Sequence, residues 1–210
     1  MHFLRLSLGP FETNSYVVFC PETRQGVIID PGFETETILA AVEREKLRII
    51  HILDTHAHID HTCGNALARE KTGATVLMHR DDLDLLRHPD QPFLLALGLG
   101  DYTPAEPDGF LQQGQEIRFG RECFCVIHTP GHTPGGVCLL GQGALFAGDT
   151  LFAGSVGRTD LLGGDETLLL RSIRDRILSL PDETTIQPGH GPATTVGEER
   201  RFNPFLAERS

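Results

Sequence analysis

Apolar and polar positions alternate through residues 2–8, 15–20 and 26–30, and turn residues separate the runs, Gly9-Pro10 and Asn14 first, then Pro21-Glu22-Thr23. This spacing predicts an opening β-meander of three short strands. Between 34 and 47, Ile38, Leu39, Ala41, Val42 and Leu47 recur at helical spacing and lead into an apolar run at 49–53. A helix and then a strand are expected there. Residues 65–72 read as a helix closed by Gly73, 75–79 as a strand and 80–86 as a short helix. Strands resume at 115–119, 121–128, 136–140 and 144–148. Apolar positions at 168–170, 173, 177, 178 and 180 predict a long amphipathic helix over 166–180 before a strand at 184–187. A closing helix over 195–205 ends at Pro204. From 88 to 108 no period holds, and prolines 89, 92, 104 and 107 surround the apolar stretch 93–99. No solenoid-type repeat is present.

Composition narrows the classes. A chain of 210 residues suits one domain with a sizeable core. Its 18 basic residues against 29 acidic ones leave a net charge of −11, which repels phosphate backbones and argues against nucleic acid as a partner. The amino terminus alternates and breaks at Gly9-Pro10, without the apolar core or cleavage site of a signal peptide. No run approaches the ~18 apolar residues of a membrane span. Five scattered cysteines argue against a disulfide framework and for a reducing, cytoplasmic setting.

The chemistry concentrates in Thr55-His56-Ala57-His58-Ile59-Asp60-His61, where one short loop after an apolar run holds three of the ten histidines beside an aspartate. His56 and His58 alternate, so in an extended loop their rings face one way. Asp60 and His61 sit where the chain bends toward the next element. His132, Asp149 and His190 each follow another short apolar run, at 123–127, 144–147 and 184–186. If those runs are strands, all seven side chains leave one edge of the sheets, the usual place for function on a rigid scaffold. Solvated surface histidines would not cluster in this way. Cys63 reads as a small buried residue beside the cluster. Cys123 and Cys125 read as core packing on one strand face, in preference to a Cys-x-Cys metal site. His51 and His128 read as hydrogen-bonded structural histidines, and His2, His79 and His88 carry no motif.

The pattern His-x-His-x-Asp-His at 56–61, followed by His132, Asp149 and His190, resembles the metallo-β-lactamase superfamily over nearly the whole chain. Gly157-Arg158-Thr159-Asp160, Pro188-Gly189-His190-Gly191 and the ending Glu-Glu-Arg-Arg-Phe-Asn-Pro resemble the small glyoxalase II-like (hydroxyacylglutathione hydrolase-like) members. The resemblance implies an α/β fold, a four-layer αβ/βα sandwich with the metal site at one edge of its two sheets. It implies a single domain over 1–210, lacking the extra carboxy-terminal helical domain of longer glyoxalase II enzymes, since only 20 residues follow His190.

Carried over residue by residue, the resemblance puts one metal on His56, His58 and His132, a second on Asp60, His61 and His190, and Asp149 between them. Asp60 and Asp149 are then the catalytic carboxylates. Two divalent ions are expected, zinc first, with iron and manganese suited to the same donors. A hydroxide shared by the metals would cleave a thioester such as S-lactoylglutathione, the thiolate leaving without a separate general acid. The chain has no Gly-x-Ser-x-Gly elbow and no Cys–His nucleophile pair, which also points to metal-activated water.

The same resemblance offers Asp30 as an acceptor behind a ligand histidine, or as a turn residue. Arg158 is either a brace for the site through an ion pair or half of an exposed surface pair. Ala57 stands where many relatives have glycine and removes no donor. The 88–108 segment is expected to cover exposed core, with a lid or wall over the metal cleft as the other reading. Competing functions are a mononuclear-iron persulfide dioxygenase, a hydrolase of another ester or thioester, a β-lactamase, and a protein that only binds metal. The expected partner is a small thioester, glutathione-linked or otherwise, acting on a monomer or small homo-oligomer.

Overall fold

Strand pairing divides the computed structural model into two six-stranded sheets and one small hairpin. It describes residues 1–89, 91–100 and 102–207, with Gln91 and Phe93 as backbone only. The first sheet runs β1 (His2–Leu8), β2 (Thr13–Phe19), β3 (Gln25–Ile29), β4 (Arg48–Leu53), β5 (Thr75–His79) and β6 (Gly109–Leu111) in spatial order. β1 to β3 form the expected antiparallel meander, and β3 to β6 are parallel. The second sheet runs, in spatial order, β14 (Thr194–Thr195), β13 (Thr185–Pro188), β10 (Ala144–Gly148), β9 (Val137–Gly141), β8 (Glu122–His128) and β7 (Glu116–Phe119). Its single parallel pair is β10 with β13. The hairpin is β11 (Leu151–Phe152) with β12 (Ser155–Val156).

Among the described residues, seven α-helices connect or follow the strands: α1 (Thr35–Arg44), α2 (Ile59–Thr62), α3 (Asn65–Thr72), α4 (Leu83–Arg87), α5 (Gln91–Ala96), α6 (Glu166–Ser172) and α7 (Val196–Phe202). Parallel neighbours need a crossover, and α1 and α3 supply it for the first sheet. They lie on its outer face, where Ile38, Val42 and Ala68 pack with Val17, Ile28, Ile52 and Val76. α6 lies outside the second sheet, with Leu169, Ile173 and Ile177 against Ile127, Leu145 and Ile186. Between the sheets, Tyr16, Val18, Ile29 and Leu53 meet Phe119, Phe124, Val126 and Phe146. Helix, sheet, sheet, helix is the four-layer order expected.

The long helix expected over 166–180 is α6 followed by one π turn, Ile173–Ile177, whose wider winding keeps residues 169, 173 and 177 on the buried face. The closing helix stops at Phe202, two residues before Pro204. The cysteines of β8 correct the expectation: Phe124 and Val126 enter the core, while Cys123 and Cys125 are half-buried on the opposite face. His51 and His128 are hydrogen-bonded as expected, to Thr75 Oγ1 at 2.6 Å and Pro134 O at 2.9 Å. Among the described residues, no helix is long and apolar enough to cross a membrane.

Candidate metal centre

The loop after β4 carries His56 and His58 and turns into α2, which places Asp60 and His61. His132 comes from the loop after β8, Asp149 directly follows β10 and His190 follows β13. All seven meet at one edge of the sandwich. Donor atoms of His56, His58 and His132 lie within 4.8 Å of one another, as do those of Asp60, His61 and His190, and those of His56, His61 and Asp149.

Hydrogen bonds fix which atom of each ring faces inward. His132 Nδ1 donates to Arg158 O at 2.7 Å and His190 Nδ1 to Phe11 O at 3.0 Å, so both present Nε2. His61 Nδ1 donates to Asp30 Oδ2 at 3.0 Å. The same carboxylate accepts from Thr55 N and from Thr55 Oγ1, both at 2.7 Å, and that hydroxyl lies 3.1 Å from His56 Nδ1. Asp30 thus orients two rings, and the turn-residue reading gives way to the acceptor reading. His58 faces inward through Nδ1, 2.9 Å from His132 Nε2.

The inward atoms have the spacing of a coordination shell. His61 Nε2 and His190 Nε2 are 3.3 Å apart, and each lies 3.3 to 3.4 Å from Asp60 Oδ2. Asp149 reaches both groups, with Oδ1 at 3.5 Å from His61 Nε2 and Oδ2 at 3.6 Å from His132 Nε2. Ligands about 2.1 Å from a tetrahedral or octahedral ion are separated by about 3.0–3.4 Å. Buried His56 Nε2 and Asp149 Oδ1 have no hydrogen-bond partner at all, a state that native proteins rarely leave unexplained. Lone pairs facing one another at these distances fit divalent cations. Gly189 makes room for them, because a Cβ there would stand 2.1 Å from Asp149 Oδ1.

The electrostatics split the centre. Burial, together with its neighbouring histidines, holds His56 well below the ordinary range and lowers His58 to about 4. Burial also disfavours charge on His61 and His190, but the adjoining carboxylates overcome it and raise them to about 9 and about 10. Burial would raise Asp60 and Asp149, yet the same histidines hold both below the usual carboxylate value. Without metal, the acidic half is therefore held together by proton-mediated ion pairs.

Other expectations resolve differently. The Arg158 guanidinium makes two 2.7 Å bonds to Asp160 in an exposed pair, so what braces the site is the Arg158 carbonyl on His132. Burial pushes the Cys63 thiol up to about 12, and Cys63 joins no donor group. His79, Asp81 and His128 form another compact group. There the His79 and His128 rings stack at 12° with centroids 4.0 Å apart, so their lone pairs run side by side instead of converging.

Three supporting residues have no motif to announce them. Asp82, fully buried, accepts from Ala57 N at 3.0 Å, Thr133 Oγ1 at 2.8 Å and Gly135 N at 2.5 Å, tying the first ligand loop to that of His132. Thr13 Oγ1 donates to Asp60 Oδ2 at 2.9 Å. Asn14 holds the His190 loop through Pro188 O and Gly191 O at 3.0 and 2.9 Å.

A cleft of about 790 Å3 opens over the centre, lined by Leu85, His88, Pro89, Pro92, Leu94, Arg158, Leu161 and Leu162 among others. The 88–108 segment serves both expected roles: Leu94 and Ala105 are buried, while His88, Pro89, Pro92 and Leu94 line the cleft. Asp90, Asp101 and the Phe93 side chain of that segment lie outside the described residues.

The model of the metallo-beta-lactamase superfamily matches residues 8–190. The chain belongs to that superfamily. It is 36% identical to "Probable metallo-hydrolase YqgX" of Bacillus subtilis, covering 98% of each chain. It is 34% identical to "Hydroxyacylglutathione hydrolase GloC" of Haemophilus influenzae, covering 95% of each. Among solved structures, BLEG-1 B3 metallo-beta-lactamase superposes with a TM-score of 0.90 at 41% identity, over 98% of this chain and 99% of that one. TTHA1623 in a di-iron-bound form gives 0.86 at 42% identity, over 97% and 100%. ETHE1 from Myxococcus xanthus gives 0.84 at 32%, over 100% and 86%. The superfamily assignment makes the chain an enzyme, of a superfamily that binds divalent metals.

Proposed function

We propose that the protein is a binuclear metallohydrolase of thioesters, with S-lactoylglutathione as reference substrate. The observation that carries this reading is Asp149, whose Oδ2 lies 3.6 Å from His132 Nε2 and 3.5 Å from His190 Nε2 while its Oδ1 lies 3.5 Å from His61 Nε2, so that one carboxylate reaches both groups. His56, His58 and His132 would hold one ion, Asp60, His61 and His190 the second, and Asp149 both; zinc, iron and manganese suit these donors. Such ions would supply a water-derived nucleophile near neutral pH.

The chain's residues do the rest. Asp30 and Thr13 hold His61 and Asp60 in place, and the neighbouring histidines keep the Asp60 and Asp149 carboxylates ionised, the form in which a carboxylate binds a cation. The Cys63 thiol stays protonated and does not compete as a nucleophile. A thiolate leaves without a general acid. The similarity to GloC favours the same class.

The test is thiol release from S-lactoylglutathione and other thioesters by protein of known metal content. Turnover that disappears in Asp149→Ala supports the reading; a fully metallated sample that cleaves no thioester refutes it. A second reading, persulfide dioxygenase, rests on the Gly157-Arg158-Thr159-Asp160 segment touching the centre through Arg158 O. Oxygen consumption with glutathione persulfide and one iron per chain would establish it instead. Likeness to BLEG-1 makes β-lactam hydrolysis the third reaction to assay.

A further inference from the structure

The walls of the cleft differ in chemistry from its floor. Leu85, Pro89, Pro92, Leu94, Leu161 and Leu162 all line it. Leu161 is 41% exposed and Leu162 73%, so apolar surface is left in water beside the metal centre. Of the lining residues only Arg158 carries a permanent positive charge, and its Nε and Nη2 donate to the Asp160 carboxylate, which neutralises it. His88, at the rim, is paired with Asp84 at 3.0 Å. A glutathione moiety would bring two carboxylates into this cleft of a chain with net charge −11 and find the one lining guanidinium already paired with a carboxylate.

We infer that the cleft selects its substrate by an apolar substituent on the thioester, and that glutathione is not specifically recognised. This rests on the thioesterase reading and narrows it. Apolar walls gain affinity with each methylene they cover, by at most about fourfold per CH2. Burial of Leu161 and Leu162 by the bound chain supplies that gain. The apolar group sits either on the acyl carbon or on the thiol sulfur, and the two are separable by experiment.

Two series decide it. In the first, the thiol is the neutral N-acetylcysteamine and the acyl group grows from acetyl to octanoyl. In the second, the acyl group is acetyl and the thiol grows from ethanethiol to octanethiol, with acetyl-glutathione for comparison. The inference expects kcat/KM to climb at least about 30-fold along one series, with glutathione conferring less than about a threefold advantage over N-acetylcysteamine. Leu161→Ser with Leu162→Ser should flatten that climb, whereas Leu95→Ser, exposed but outside the cleft lining, should keep it. A flat profile in both series, or a tenfold preference for glutathione thioesters, overturns the inference. If no thioester at all is cleaved, the hydrolase reading fails separately. Binding of unreactive dialkyl thioethers, followed by calorimetry, then decides the inference: affinity independent of chain length overturns it, and affinity rising with length sustains it.

Discussion

Replacing Asp82 with alanine should loosen two ligand loops at once. Its carboxylate is fully buried and accepts from Ala57 N, between His56 and His58, and from Thr133 Oγ1 and Gly135 N, just beyond His132. Each donor left without an acceptor costs about 1 kcal/mol or more. Burial pushes the Asp82 carboxyl up, so removing it returns part of that cost. A net loss of about 3 kcal/mol remains, which for a chain of this size lowers Tm by about 6–12 °C. Thermal unfolding of the metal-free protein followed by circular dichroism measures it directly. Chelator competition gives the second readout: with His58 and His132 no longer held in register, affinity for the first metal should fall by about 10-fold or more. Asp82→Asn should lie between, since the amide keeps one acceptor oxygen but sets an NH2 against one of the donors. A Tm within 1 °C of wild type together with unchanged metal affinity in Asp82→Ala, roughly the measurement error against that expected shift, would refute the argument that this carboxylate sets the distance between the loops.

Three further outcomes are expected. Asp30→Asn keeps the left-handed φ of 51° tolerable but puts an NH2 where Thr55 and His61 donate, so metal affinity should drop about 10–100-fold by chelator competition. Gly189→Ala places a Cβ 2.1 Å from Asp149 Oδ1 and 2.8 Å from His61 Cε1. It should cost about 100-fold in turnover in a protein that still folds, as judged by circular dichroism. In the metal-free protein His61 and His190 titrate near 9 and 10, above their unfolded values near 6.5, so their contribution is complete below about pH 6.5 and lost as pH rises through 9 to 10. Tm should fall across that interval without metal and hold steadier with it, because bound metal has already displaced those protons; parallel profiles would contradict the assignment.

Much of this was legible in the chain because the ligands announce themselves. Three imidazoles and a carboxylate in six residues have no cheaper explanation than a cation, and the strands before His132 and Asp149 hold continuous apolar runs, though the one before His190 has only Ile186 and Pro188. What stayed hidden is short or non-periodic. β6, with three residues, and β11 and β12, with two each, are too brief to show alternation. The π turn of 173–177 keeps the apolar spacing of an ordinary helix and cannot be told from one by pattern. At Cys123 and Cys125 the alternation was legible but its phase was not, since cysteine is at home on either face and only the facing sheet decides that Phe124 and Val126 point inward. Arg158 misled because its charge draws attention, whereas the atom that matters is a backbone carbonyl.

The supporting carboxylates show why such residues escape a reading of single positions. Asp30 directly follows β3, and Asp82 stands three residues after β5; each looks like a turn residue. In the sheet, β3 and β5 are the parallel neighbours of β4, which carries the ligand loop. Parallel pairing brings the ends of all three strands to the same edge, so the two carboxylates arrive on either side of 55–61, Asp30 holding Thr55 and His61, Asp82 holding Ala57. Sequence separation hides this, since Asp30 and Thr55, like Ala57 and Asp82, stand 25 positions apart. A loop dense in lone pairs repels itself in the absence of cations, and flanking acceptors that bind its backbone N–H groups and outer ring nitrogens keep the inner lone pairs aimed at one place. The order β3-β4-β5 is therefore part of the metal centre, as much as the histidines are.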